Sequence, residues 1–248
     1  MTILDYYKKE LLKLKDQPPK KRWEYIWEYY KIHLGVAFLV LVLLVQGIVS
    51  ICTHKDTVLT GVLINTTLTA DSSSFMADLN DHFDVGRNEK IAFNTNIFMT
   101  NQSADKATAL QSIMSSVTIK ELDMVAGPEE AFRICAYNAS NMFADLREHL
   151  DPDALDKLAD KLYYIDGAIL EKLNAPVGTE VDMSQIIYPD PHKPETMEKP
   201  IPVGINVTEC HPFMAAYFEP GTRHYIGMIT NTTRPEMVLQ FIDFLFAE

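Results

Sequence analysis

Residues 32–51 (IHLGVAFLVLVLLVQGIVSI) run for 20 positions without an Asp, Glu, Lys or Arg, and this stretch constrains the chain more than any other. At 1.5 Å per residue, a helix of that length covers the ~30 Å hydrocarbon core of a bilayer. A surface helix of a soluble domain would carry a charged stripe over five turns, and this one carries none. Thirty-one residues precede the run. It is longer than the ~7–15 apolar residues of a secretory signal, and no A-x-A pattern follows it, so the sequence predicts an uncleaved anchor.

Charge sets the expected orientation. Residues 1–31 hold eight cations (Lys8, Lys9, Lys13, Lys15, Lys20, Lys21, Arg22 and Lys31) and five acids. The 20 residues after the run offer only Lys55, so the N-terminus is expected in the cytoplasm and the C-terminal part outside the cell membrane. The rest of the chain keeps 14 of the 22 cations and 29 of the 34 acids, a net charge of −15. Nucleic acid is excluded as a partner, because neutralising phosphates needs clustered Lys and Arg. The resulting organisation is a basic, aromatic cytoplasmic tail over 1–31, a single transmembrane helix over 32–52 and an extracytoplasmic domain over 53–248.

The tail has its own pattern. Residues 3–15 place Ile3, Tyr7, Leu11 and Leu14 at helical spacing, which suits a helix lying on the inner leaflet. Pro18 and Pro19 are expected to break it. Trp23, Trp27, Tyr29 and Tyr30 then crowd the membrane edge, where amphipathic rings settle between headgroup and acyl chain. Two roles stay open for the tail: anchoring to the bilayer alone, or docking to a membrane partner.

Beyond residue 57 the pattern becomes α/β. Strands are expected at 58–65, 90–99, 122–128, 201–207 and 223–230, from apolar, β-branched or alternating runs. Helices are expected from Asp71 to near Gly86, over 103–122, 129–138, 141–150 and 153–164, and over 234–247. Five prolines between 189 and 202 predict an irregular connection. Strand, helix and strand in short succession imply a mainly parallel sheet with helices on both faces.

The block LDMVAGPEEAF (122–132), followed by NMFADLREHL (141–150), resembles the lobe signature of type 2 periplasmic or solute-binding proteins. The segment WEYIWEYYKIHLG (23–35) ahead of the span is similar to uncharacterised single-pass membrane proteins of Gram-positive bacteria. These resemblances imply a bacterial exterior domain built like one solute-binding lobe, and they bring no activity or ligand-contact residue. A two-lobed clamshell takes roughly 300 residues or more, and only about 190 follow the span, so a second complete lobe does not fit.

The motifs that announce chemistry are sparse. The ten glycines form no GxGxxG, P-loop or GxSxG, and the histidines form no HExxH or i, i+4 pair, so neither a cofactor nor a metal is expected. The densest candidate is NVTECHPF (206–213), at the end of an expected strand, where Asn206, Glu209 and His211 are the candidate ligand-binding residues. A Cys210–His211 nucleophile pair is disfavoured, since neighbours in sequence seldom point at each other. Asp151 and Asp153 read as helix-start residues, as do Glu129 and Glu130. Cys135 and Cys210 both fall on the expected exterior side and are the candidate disulfide; Cys52 would then be left over. The sequons at Asn65, Asn101, Asn138, Asn206 and Asn231 carry meaning only in a eukaryotic source.

The expectation is therefore a membrane-anchored extracytoplasmic protein that binds a small molecule or an envelope protein and is not an enzyme. Two rivals stay beside it: a cell-envelope hydrolase whose carboxylates cannot be paired from sequence, and a structural subunit of a membrane complex.

Overall fold

The computed structural model describes residues 18–53, 55–100, 102–137, 141–174 and 186–247. The stretch 3–15 and the sequons at Asn101 and Asn138 lie outside them. The chain separates into two units, Met1–His54 and Lys55–Glu248.

In the first unit, α1 spans Pro19–Thr53. Pro19 sits in its first turn, where a missing N–H breaks no helical bond, so the proline pair starts this helix. The stretch Lys31–Val49 is long and apolar enough to cross a membrane, and none of it is buried. Trp23 and Trp27 belong to the same helix and are exposed. Tyr29 and Tyr30 lie in it too, with side chains outside the described set.

The second unit is built on a six-stranded sheet. Its strands are β1 (Asp56–Ile64), β2 (Glu89–Ile97), β3 (Met124–Pro128), β4 (Leu162–Asp166), β5 (Pro200–Asn206) and β6 (His224–Met228), in the order β2-β1-β3-β6-β5-β4. β1 pairs in parallel with β2 and with β3; the ladders β3–β6, β5–β6 and β4–β5 are antiparallel. Four strands thus point one way and β4 and β6 the other: the sheet is mostly parallel in direction, but mixed.

Period-two alternation sorts the core onto two faces. Leu59, Leu63, Met124 and Ala126 pack with α2 (Asp71–His82), α7 (His211–Tyr217) and α8 (Pro235–Phe246). Val62, Ile64 and Val125 pack with α3 (Ser103–Thr118), α4 (Glu129–Ala136) and α6 (Gly167–Leu173). Full burial of a side chain such as Leu63 stabilises by ~1.5–3 kcal/mol before entropy is counted. At Gly204 an added Cβ would stand 2.5 Å from the ring of Phe132, and the β4–β5 ladder slips register beside it, so the strand there requires glycine.

Two expected helices differ. The helix over 153–164 is only α5 (Pro152–Lys157), opened by the Asp151 carboxylate accepting from the Ala154 amide at 2.7 Å, and its expected last turn is the start of β4. Leu155, Leu158 and Leu162 do face one core, but from a helix, a turn and a strand. Over 141–150, Phe143 bridges Ile229, and a short 3-10 turn (Leu146–Glu148) follows. The Asp145 carboxylate takes the Arg147 amide at 3.0 Å, a local bond that competes with helical pairing. α6 and α7 form where no helix was expected.

The expected disulfide is absent. Cys135 and Cys210 are free thiols, Cys135 in the cluster beneath α4 and Cys210 in the cluster beneath α7, on opposite faces of the sheet. Strand alternation separates them, which no count of cysteines reveals.

Candidate functional site

In open α/β sheets, ligands bind beyond the carboxyl ends of parallel strands, at the point where successive connections leave on opposite faces. Here that point lies between β1 and β3. The chain leaves β1 through α2 on one face, and leaves β2 through α3 on the other. A crevice of about 300 Å³ opens there, lined by Asn65, Lys106, Glu129, Glu130 and Arg223 over an apolar floor that includes Met99.

Each lining residue is placed by its own local chemistry. Asn65 follows β1 with φ of 57°, a left-handed conformation that Asn tolerates. Its side chain accepts from the Met99 amide at 2.7 Å and donates to the Met99 carbonyl at 3.1 Å, tying the end of β1 to the end of β2. Pro128 ends β3 in extended backbone, so α4 starts at once with Glu129 and Glu130 in its first turn. The Glu129 amide donates to the Arg223 carbonyl at 3.0 Å, which brings the chain ahead of β6 to the same place.

The charges divide unequally. Lys106 on α3 donates to Glu130 at 2.7 Å, and that hydrogen bond and charge hold the Glu130 carboxyl below its ordinary range. The Tyr225 hydroxyl meets His192 Nε2 at 2.8 Å. Burial pushes the Tyr225 phenol up to about 12, so it stays neutral. Among the described residues, neither Glu129 nor Arg223 makes an ion pair.

The residues singled out in sequence lie along the same edge of the sheet, outside the crevice lining. Asn206 ends β5, and its Oδ1 accepts from the Thr208 amide at 2.9 Å. Glu209 is exposed and pairs with Lys161 at 3.1 Å. His211 is the exposed first residue of α7. Their nearest tie to the crevice is Thr208, whose hydroxyl accepts from the His224 amide at 2.9 Å, one residue from Arg223. Burial pushes the Cys210 thiol up to about 11, which leaves little thiolate beside His211 at neutral pH. Among the described residues no group of three His, Cys, Asp or Glu is placed to hold a metal ion.

Glu129 and Glu130 were visible in sequence as helix-start acids. The signal for a site was their position straight after a Gly-Pro strand end; Lys106 and Arg223 carried none. Set against known proteins, the chain matches no family model, no curated sequence and no solved structure.

Proposed function

We propose that this is a membrane-anchored extracytoplasmic binding protein that takes a small polar ligand into the crevice between β1 and β3. The single observation that carries this is the crevice's position at the carboxyl ends of the parallel strands, with opposite charges converging from α3, α4 and the approach to β6. The lining supplies charge and hydrogen bonds but neither thiol nor imidazole, which favours holding a ligand over turning one over. The apolar stretch of α1 supports anchoring, and the cations crowded ahead of it favour a cytoplasmic N-terminus. The resemblance of residues 122–132 to a solute-binding lobe agrees, since those residues form β3 and the start of α4 at the crevice.

Thermal melting of the full chain in phospholipid nanodiscs, screened against a broad library of metabolites, tests the reading. A ligand present at 100 times its Kd stabilises by ~2.7 kcal/mol, which raises Tm by about 5–10 °C for a domain of this size. The rise is expected to fall to about half or less in Glu129→Gln. A ligand whose effect survives both Glu129→Gln and Arg223→Gln would move the site elsewhere. Protease added to intact cells is expected to remove a C-terminal epitope; an epitope protected beside a digested surface control reverses the orientation.

A further inference from the structure

We infer that the ligand of this crevice is a small zwitterion, with its ammonium group at Glu129 and its carboxylate at Arg223. The inference rests on the binding reading above and names the ligand's chemical class. Four ionised groups line the crevice, and two of them, Lys106 and Glu130, already satisfy each other at 2.7 Å. The pair left over is one carboxylate and one guanidinium, brought to the same opening by the Glu129–Arg223 backbone bond yet making no ion pair with each other.

A purely anionic ligand would meet Arg223 and be repelled by Glu129, and a purely cationic ligand the reverse. Only a molecule carrying both charges leaves neither the half-buried Glu129 nor the exposed Arg223 opposed. The N-terminus of α4 does not redirect the ligand's anionic end, because Glu129 and Glu130 already occupy that first turn. A guanidinium's planar fork grips a carboxylate through two parallel N–H donors, which suits Arg223 as the anion-binding end. Met99, Ala131 and Ile134 give the remaining wall an apolar character, and about 300 Å³ admits a short aliphatic side chain. A free aliphatic amino acid and the two ends of a short peptide share this chemistry.

Isothermal titration of the full chain in nanodiscs with alanine, valine, leucine and alanyl-alanine tests the inference, beside N-acetylalanine, alaninamide, propionate and propylamine. A zwitterion is expected to bind, and blocking either of its ends is expected to weaken binding at least tenfold. Glu129→Gln and Arg223→Gln should each weaken the zwitterion tenfold or more while leaving the unliganded Tm within about 2 °C, which shows that the variants fold. The better of valine and alanyl-alanine identifies the source. Propionate or propylamine binding as tightly as any zwitterion overturns this inference and leaves the crevice reading standing, as does a library ligand that is sensitive to Glu129→Gln and carries no such pair of charges. If no compound of the broader library responds to either variant, both fall.

Discussion

The strand β3 lies between two acids, and an arginine stands near each, but the two ends are built differently. At its start, Asp123 is 0% exposed and accepts from the Thr60 amide at 2.7 Å, the Thr232 hydroxyl at 2.6 Å and Arg234 at 2.8 and 3.1 Å. Arg234 is held in turn by the Thr57 carbonyl at 2.5 Å and the Glu121 carbonyl at 3.3 Å. At its end, Glu129 is half-buried and has no ion-pair partner among the described residues, although it shares a crevice with Arg223. One acid–arginine set closes the place where β1, β3 and the approach to α8 converge, with its donors and acceptors matched. The other leaves its charges facing solvent. Identical side-chain chemistry serves the fold where it is saturated and serves recognition where it is not.

The sharpest way to break that contrast is Asp123→Ala. It strands a largely buried guanidinium and two donors, and removing one partner of a buried pair costs ~3–5 kcal/mol. Urea denaturation of the chain should show this loss of stability. A cost below 1 kcal/mol would mean that the network does not hold the two strands, and the contrast would go with it.

A smaller effect is expected at Asp166, another saturated acid. Burial raises its pKa, but the amides of Glu198, Lys199 and Ala168 outweigh that and hold the carboxyl below its ordinary range. A depressed folded-state value contributes stability that is complete above the unfolded value of ~3.9 and is lost as pH falls through the folded one. Asp166→Ala should cost ~2 kcal/mol at pH 7 and flatten the loss of stability below about pH 4. If wild type and variant keep the same gap from pH 7 down to pH 2, the carboxylate's charge is not what clamps the segment before β5.

Surface pairs should sit near zero. Lys161 and Glu209 meet at 3.1 Å, but Glu209 is 80% exposed and its partner is free to exchange it for water. Glu209→Ala should leave Tm within about 1 °C, and a larger drop would assign the loop after β5 a role in stability that its geometry does not supply.

Much of this contrast was invisible in one dimension. The run at 58–65 was legible because a strand packed on both faces needs apolar residues at successive positions, as Leu59, Val62, Leu63 and Ile64 provide. β4 was not, since Leu162 completes a leucine stripe of helical spacing, and the pull of Tyr163 and Ile165 toward the opposite face overrides it. Glu129 and Glu130 could be seen opening a helix, but Arg223 reaches them only through the β3–β6 pairing. Asp123 and Arg234 are 111 residues apart, and long-range pairing of that kind has no periodicity to read.

The finest test compares the two sets directly by double-mutant cycles. For Asp123 and Arg234 the coupling should reach ~2–3 kcal/mol, because each single variant already strands the other partner and the double variant adds little further loss. For Glu129 and Arg223 in the unliganded chain the coupling should lie within ~0.3–0.5 kcal/mol of zero, the range of independent sites, since among the described residues their side chains make no ion pair that either variant could remove. Repeating the second cycle with a bound ligand should raise its coupling, because a molecule touching both residues makes each variant's cost depend on the other. An unliganded coupling near 2 kcal/mol would show that the two charges pair with each other in solution, and the crevice would then be a second closed end of β3.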